Sequence, residues 1–234
     1  MGRAYEVRKA SIQKTGAAKA KLYSMYAREI YQAAKNGGTE IESNISLKRL
    51  IDKAKTDQVP SDIIKRAIDK VNSGADETYT RAIYEIFAQG GSTIIVECLT
   101  DNMNRALSDV RTVINKFHIK MGAMGSVTYM YDYLCVVSFK GLTEEDVINT
   151  LIEHNVDVSD IEVEGDLITL YGSPEDLYKI KESLSNVEFE TDEITYLPKE
   201  TIKLSETEAE LFNKTITLFE EIDDVQNVYH NVEL

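Results

Sequence analysis

Apolar residues recur at helical spacing through the first third of the chain and then give way to shorter, strand-like runs. Leu22, Tyr26, Ile30 and Ala33 fall on one helical face, and Gly37-Gly38 supplies a stop. Asn44 stands where it can cap a second helix, whose Leu47, Leu50, Ile51 and Ala54 form one stripe while Lys48, Arg49, Lys53 and Lys55 fall largely off it. Pro60 suits the first turn of a third helix, with Ile63, Ile64, Ala67, Ile68 and Val71 inward and Lys65, Arg66 and Lys70 outward. Short amphipathic helices bury their stripes only against one another, so the pattern predicts a small bundle with basic outer faces. Residues 1–18 are basic and almost without an apolar face, which predicts an arm that orders on a partner.

Past the linker-like Asn72-Ser73-Gly74-Ala75-Asp76 the period changes. Residues 83–87 and 94–99 read as strands across a Gln89-Gly90-Gly91-Ser92 hairpin connection. A helix comes next, capped by Asp101, with Met103, Ala106, Leu107, Val110, Val113, Ile114 and Phe117 inward; a glycine loop at 121–125 and a strand at 127–131 close the unit. From Tyr133 the order is strand to 139, helix 144–154, strands 156–163 and 167–171 across Glu164-Gly165-Asp166, and a helix opened by Ser173-Pro174-Glu175-Asp176 as cap and N1 proline. A strand at 187–197 completes β-α-β-β-α-β, the ferredoxin-like order. Ser205-Glu206-Thr207-Glu208 is a capping box for a helix bearing Phe212, Thr215, Ile216 and Phe219, and 225–228 is a last strand. Those final elements complete the unit begun at residue 79. The expected fold is therefore α+β: a three-helix module over 1–75, a discontinuous α+β domain over 79–132 and 199–234, and a ferredoxin-like domain over 133–198 inserted into it.

Charge changes the picture. The chain carries a net charge of −14, yet residues 1–75 hold 15 Lys and Arg against 8 Asp and Glu, a local +7, and the remainder carries −21. Phosphate contacts depend on local charge, so the front module suits a polyanion while the acidic part keeps the protein soluble. The same numbers equally suit a basic module docked on an acidic one. With 43% apolar residues and no apolar run near the roughly 20 residues that span a bilayer, a membrane role is not expected. The start of the chain lacks a secretory apolar stretch, which leaves a cytoplasmic address. Cys98 and Cys135 sit in apolar runs and read as core residues, without metal spacing.

Candidate chemistry is sparse. His118, His154 and His230 stand in no recognisable nucleophile–base constellation, and no phosphate-cradling glycine motif occurs. Glu97, Asp101 and Asp109 match no metal-ligand spacing. Neither catalytic residues, a metal site nor a cofactor is expected. The basic residues of the first helix, Lys19, Lys21, Arg28 and Lys35, are interleaved with Tyr23, Tyr26 and Tyr31; cations can meet phosphates while exposed tyrosines stack on unpaired bases. The bland reading is that Tyr26 is core and the lysines only solubilise.

Three stretches carry more particular wording: Tyr84-Glu85-Ile86-Phe87-Ala88-Gln89-Gly90-Gly91, Ile95-Val96-Glu97-Cys98-Leu99-Thr100-Asp101-Asn102-Met103-Asn104-Arg105 and Asp223-Asp224-Val225-Gln226-Asn227-Val228-Tyr229. They resemble the YebC/PmpR family, as do Gln58-Val59-Pro60-Ser61-Asp62-Ile63-Ile64 and the loop from Met121 to Val127. The resemblance implies three domains, one helical and two α+β, and a protein described mostly as a DNA-binding transcriptional regulator, with relatives that act on translation. The chain departs from it at the start, where Met1-Gly2-Arg3-Ala4-Tyr5-Glu6 replaces a Ser-Lys-Trp-Ala-Asn-Ile type of opening. It departs again at Ala88-Gln89-Gly90-Gly91, where the family has Gly-Pro-Gly-Gly.

The function expected from all this is non-enzymatic regulation of gene expression through DNA. RNA or the ribosome is the alternative partner, and a small-ligand sensor or protein-interaction module a weaker one. Phosphate contacts are expected from Arg3, Arg8, Lys9, Lys14, Lys19, Lys21, Arg28, Lys35, Lys48, Arg49, Lys53, Lys65 and Arg66, with Tyr23 as a stacking partner. A second contact surface is expected at Asn102, Asn104 and Arg105 together with Gly122 and Gly125.

Overall fold

The computed structural model describes residues 17–233. Its helices are α1 (Ala17–Gly37), α2 (Ile45–Thr56), α3 (Ser61–Asn72), α4 (Met103–Phe117), α5 (Glu144–Glu153), α6 (Leu177–Ser183) and α7 (Glu206–Glu221). Its strands are β1 (Thr80–Phe87), β2 (Thr93–Thr100), β3 (Lys120–Met121), β4 (Tyr131–Lys140), β5 (Asp160–Glu164), β6 (Leu167–Gly172), β7 (Phe189–Pro198) and β8 (Val225–His230).

The first three helices share one core of Tyr26, Ile30, Ala34, Leu47, Ile51, Ala54, Val59, Ile64 and Ala67. Removing a Leu47 or an Ile51 side chain from water contributes about 1.5–3 kcal/mol each, which is what closes so small a bundle. Asn44 sets the corner between α1 and α2. Its side-chain oxygen accepts from the Leu47 N–H at 3.1 Å, while its amide donates to the carbonyls of Ala33 and Gly38 at 2.9 and 2.7 Å. One residue thus starts α2 and satisfies carbonyls at the end of α1. Tyr31 ties the bundle to the segment that leads into β1, donating to the Ala75 carbonyl at 2.6 Å.

The first sheet has the order β3-β1-β2-β8, all neighbours antiparallel. Gly90 and Gly91 supply the left-handed backbone (φ 62° and 80°) that the β1–β2 connection needs, so the turn forms without proline. Strand β2 is buried along its whole length. One face packs on α4 and α7 through Ile94, Val96, Cys98, Val110, Ile114, Phe212 and Phe219. The other places Ile95 against Val127 and Tyr131. The second sheet has the order β5-β6-β4-β7, the ferredoxin-like arrangement, with α5 and α6 covering Cys135, Val137, Phe139, Ile168 and Leu170. Tyr196 of β7 stacks edge-on against Tyr229 of β8 at 5.2 Å, joining the two sheets. The fold is α+β. Because β8 completes the first sheet after the second is finished, the chain leaves one sheet and returns to it.

Local expectations fail where side chains intervene. Residues 127–131 form no strand of the first sheet: the Val127 and Thr128 N–H groups donate to the Glu85 carboxylate instead, and Thr128–Met130 is a 3-10 turn. The short β3 takes the edge position. Asn102, not Asp101, caps α4, accepting from Arg105 N–H at 3.0 Å, and this frees Asp101 to pair with the Arg105 guanidinium. Met103, at the exposed first turn, is 45% accessible rather than inward. Ser173 makes no cap bond; Pro174–Asp176 is a 3-10 turn and α6 begins only at Leu177. Val156 closes the end of α5, its N–H donating to the Leu151 carbonyl, so β5 starts later than periodicity suggests.

Candidate nucleic-acid interface

The cations of α1 divide from those of α2 and α3. Lys21 donates to the Ile222 carbonyl at 2.7 Å and to that of Glu220, at the C-terminal end of α7, where unpaired carbonyls attract a cation. Burial holds its ammonium pKa below the usual range, against the pull of Glu220 and Asp223. Arg28 donates to the Asp223 carbonyl at 2.8 Å and to Asp224 Oδ1 at 3.1 Å. Lys35 is tied to Asp76 at 3.0 Å and to the Glu77 carbonyl at 2.7 Å. Each was expected to meet phosphate; Lys21 and Arg28 are committed to the joint between the bundle and the first sheet, whereas Lys35 is held by the segment leading into β1, where its Asp76 partner is exposed.

Asp224 is the centre of that joint and is 1% exposed. Its Oδ1 accepts from Arg28 and from Arg105 at 3.1 and 2.8 Å; its Oδ2 accepts from Arg105 Nε and the Thr100 hydroxyl, both at 3.0 Å. A carboxylate taken out of water survives only when its lone pairs are filled, and here four donors fill them. No periodicity marks Asp224 in the sequence. It does lie in the wording that carries the family resemblance, as do Thr100 and Arg105.

The outward cations sit differently. Lys19, Lys48, Lys53, Lys65 and Arg66 are exposed and Arg49 is half-buried. Lys48 pairs with Glu42 at 2.8 Å, and Arg66 with Asp62 one turn away. Such exposed pairs are worth about 0–1 kcal/mol, so a phosphate can replace the carboxylate at little cost. Tyr26 and Tyr31 are buried, whereas Tyr23 packs against the bundle core and keeps part of its surface accessible. Arg3, Arg8, Lys9 and Lys14, and the arm as a whole, lie outside the described residues.

The expected second surface does not assemble as one. Gly125 (φ 82°) and the loop around it are anchored by Glu85, which accepts from the N–H groups of Gly125, Val127 and Thr128 at 2.5, 2.5 and 2.7 Å. Burial alone would raise the Glu85 pKa; those N–H donors outweigh it and hold the carboxyl below its usual range. Gly122 is half-buried, its N–H donating to the Glu85 carbonyl. Asn102, Asn104 and Arg105 are exposed at the start of α4, with Arg105 drawn to Asp224 beside β8. The loop is therefore tied to Glu85 of β1 and the helix start to Thr100 and Asp224, with no hydrogen bond between the two, among the described residues, that would make them one surface.

Burial pushes the Cys98 and Cys135 thiols up to about 12 and about 11, and pulls His230 down to about 4. His154 closes α5 with its ring against the Thr150 carbonyl. Among the described residues no His, Cys, Asp and Glu group could hold a metal ion, and no helix is long and apolar enough to cross a membrane.

Fold and surface together define an α+β protein in which a basic helical bundle is clamped to a sheet body by the Arg28–Asp224 ion pair and the Lys21 bonds to carbonyls, and keeps a second set of cations on its outside. The TACO1/YebC protein N-terminal domain matches residues 3–74, and the TACO1/YebC second and third domain matches residues 79–232. The chain belongs to the TACO1/YebC family. It is 46% identical over 238 residues to a probable transcriptional regulatory protein of Vibrio parahaemolyticus, and 47% identical to one of Vibrio campbellii, covering 100% of each chain in both cases. The crystal structure of a conserved hypothetical protein from Aquifex aeolicus is similar with a TM-score of 0.77 and 34% identity, over 94% of this chain and 92% of that one.

Proposed function

We propose that the protein is a non-enzymatic regulator of gene expression that binds nucleic acid through the outer faces of α2 and α3. The observation that carries this is the division of the cations. Lys21, Arg28 and Lys35 hold the bundle in place, whereas Lys48, Lys65 and Arg66 point outward with only weak exposed partners. Outward cations on a rigid bundle position a phosphate backbone without reading its sequence. The naming of relatives as probable transcriptional regulatory proteins supports DNA as the partner. A translation factor on structured RNA would use the same face.

The test is a double variant of the full-length protein, Lys65→Glu with Arg66→Glu, titrated with a duplex and with a structured RNA at several salt concentrations. Affinity should fall across all sequences, and the dependence of log K on log salt should flatten by about 2. The tighter wild-type partner identifies the nucleic acid. An unchanged slope on both removes α3 from the interface.

A further inference from the structure

A cavity of about 410 Å³ opens between α1, α3 and the segment leading into β1. It shares Arg28 with the ion-pair joint and Arg66 with the outer phosphate face. Its volume lies within the ~300–1,000 Å³ of small-ligand sites. One wall is apolar, made by Ala27, Ile63 and Ala67. Tyr79 also lines the cavity, set edge-on to Tyr31 at 5.8 Å. Arg66 and Lys70 line it too. Glu77 is its one carboxylate, and it is already engaged by the Lys70 ammonium at 2.6 Å and the Tyr79 hydroxyl at 2.8 Å.

Resting on nucleic-acid binding as the function, we propose that this cavity takes a single unpaired nucleotide of the bound nucleic acid, with its base between the apolar wall and Tyr79 and its phosphate at Arg66 and Lys70. Charge and shape agree on that occupant. Arg66 and Lys70 suit a phosphate, since their carboxylate partners Asp62 and Glu77 are exposed and exchangeable. The Tyr79 ring with three small or branched apolar side chains offers a base contact for its faces. The wall offers no amide to read a base edge, so the cavity holds any base by its face. A base inside a duplex cannot reach it without leaving the stack, which costs a few kcal/mol. The protein should therefore prefer single strands, loops or bulges to an uninterrupted duplex.

Ser24 is exposed on α1 and lines the cavity, so Ser24→Trp fills part of the space without removing a cation. Fluorescence anisotropy of the full-length protein with a single-stranded oligonucleotide of about ten nucleotides, and with the duplex of the same sequence, reads the effect. Ser24→Trp should weaken single-strand binding by about tenfold and leave duplex binding and melting unchanged; Ser24→Ala should change neither. Should tryptophan disturb the bundle, Tyr79→Leu serves instead, removing the aromatic ring without removing a cation, lowering single-strand affinity several-fold and sparing the duplex. Equal binding of single strands by variant and wild type, or an equal loss on both forms, overturns the cavity while the outer phosphate face stands. A wild-type protein that binds neither form at low salt overturns both.

Discussion

The same helical bundle carries two populations of lysine and arginine, and their fates are opposite. On α1, Lys21 and Arg28 reach carbonyls and a buried carboxylate of the sheet body. On α2 and α3, Lys48, Lys65 and Arg66 face outward, and the carboxylates beside Lys48 and Arg66 are themselves exposed. What separates them is the surface opposite, not the residue type. A cation desolvated at a joint cannot meet phosphate unless the joint opens, whereas an exposed one exchanges partners almost freely. A basic module on an acidic body is thus partly self-neutralised, and among the described residues its outer cations are the ones placed for a polyanion.

The contrast can be broken most forcefully at Asp224. Asp224→Ala strips the acceptor shared by Arg28, Arg105 and Thr100 and should cost about 3–5 kcal/mol, seen as a large drop in melting temperature. A small drop would mean that the joint does not depend on its buried charge. Glu85→Gln should cost about 2 kcal/mol, because three backbone N–H groups lose an ionised acceptor. Its sign with pH is set by the direction of the shift. The folded carboxyl titrates below its ordinary value, so the stabilisation is complete above the unfolded pKa of about 4.3 and disappears as pH falls through the depressed folded value. Wild-type melting should therefore decline more steeply below about pH 5 than that of the variant; parallel curves would contradict the anchoring role. At the small end, Lys65→Glu with Arg66→Glu should alter stability by no more than about 0.5 kcal/mol while changing nucleic-acid binding most.

Much of the architecture was legible along the chain. The stripes of α2 and α3, the Asn44 cap, the Ser205 capping box and the β4-to-β7 order all stem from spacing that local physics obeys. The misses share a cause. Residues 127–131 alternate like a strand, but a carboxylate from β1 takes their N–H groups, and Asp101 looks like a cap until Arg105 claims it. Side-chain contacts of this kind, across the fold at Glu85 or within one turn at Asp101, leave no hydrophobic period to read. The candidate interface was less legible for the same reason: Lys21 and Lys65 look alike in sequence, and only the position of Asp223, Asp224 and the end of α7 tells them apart. The cavity was invisible, since Ser24, Ile63, Lys70 and Tyr79 come from separate segments.

The division between holding and binding cations is tested most directly by Lys21→Gln with Arg28→Gln, read as the salt dependence of duplex binding alongside the melting temperature. The variant should melt lower and keep the wild-type slope, since the charges removed never faced phosphate. A slope flattened by about 2 with melting unchanged would show that these two cations serve the nucleic acid after all and that the joint is not where their charge is spent.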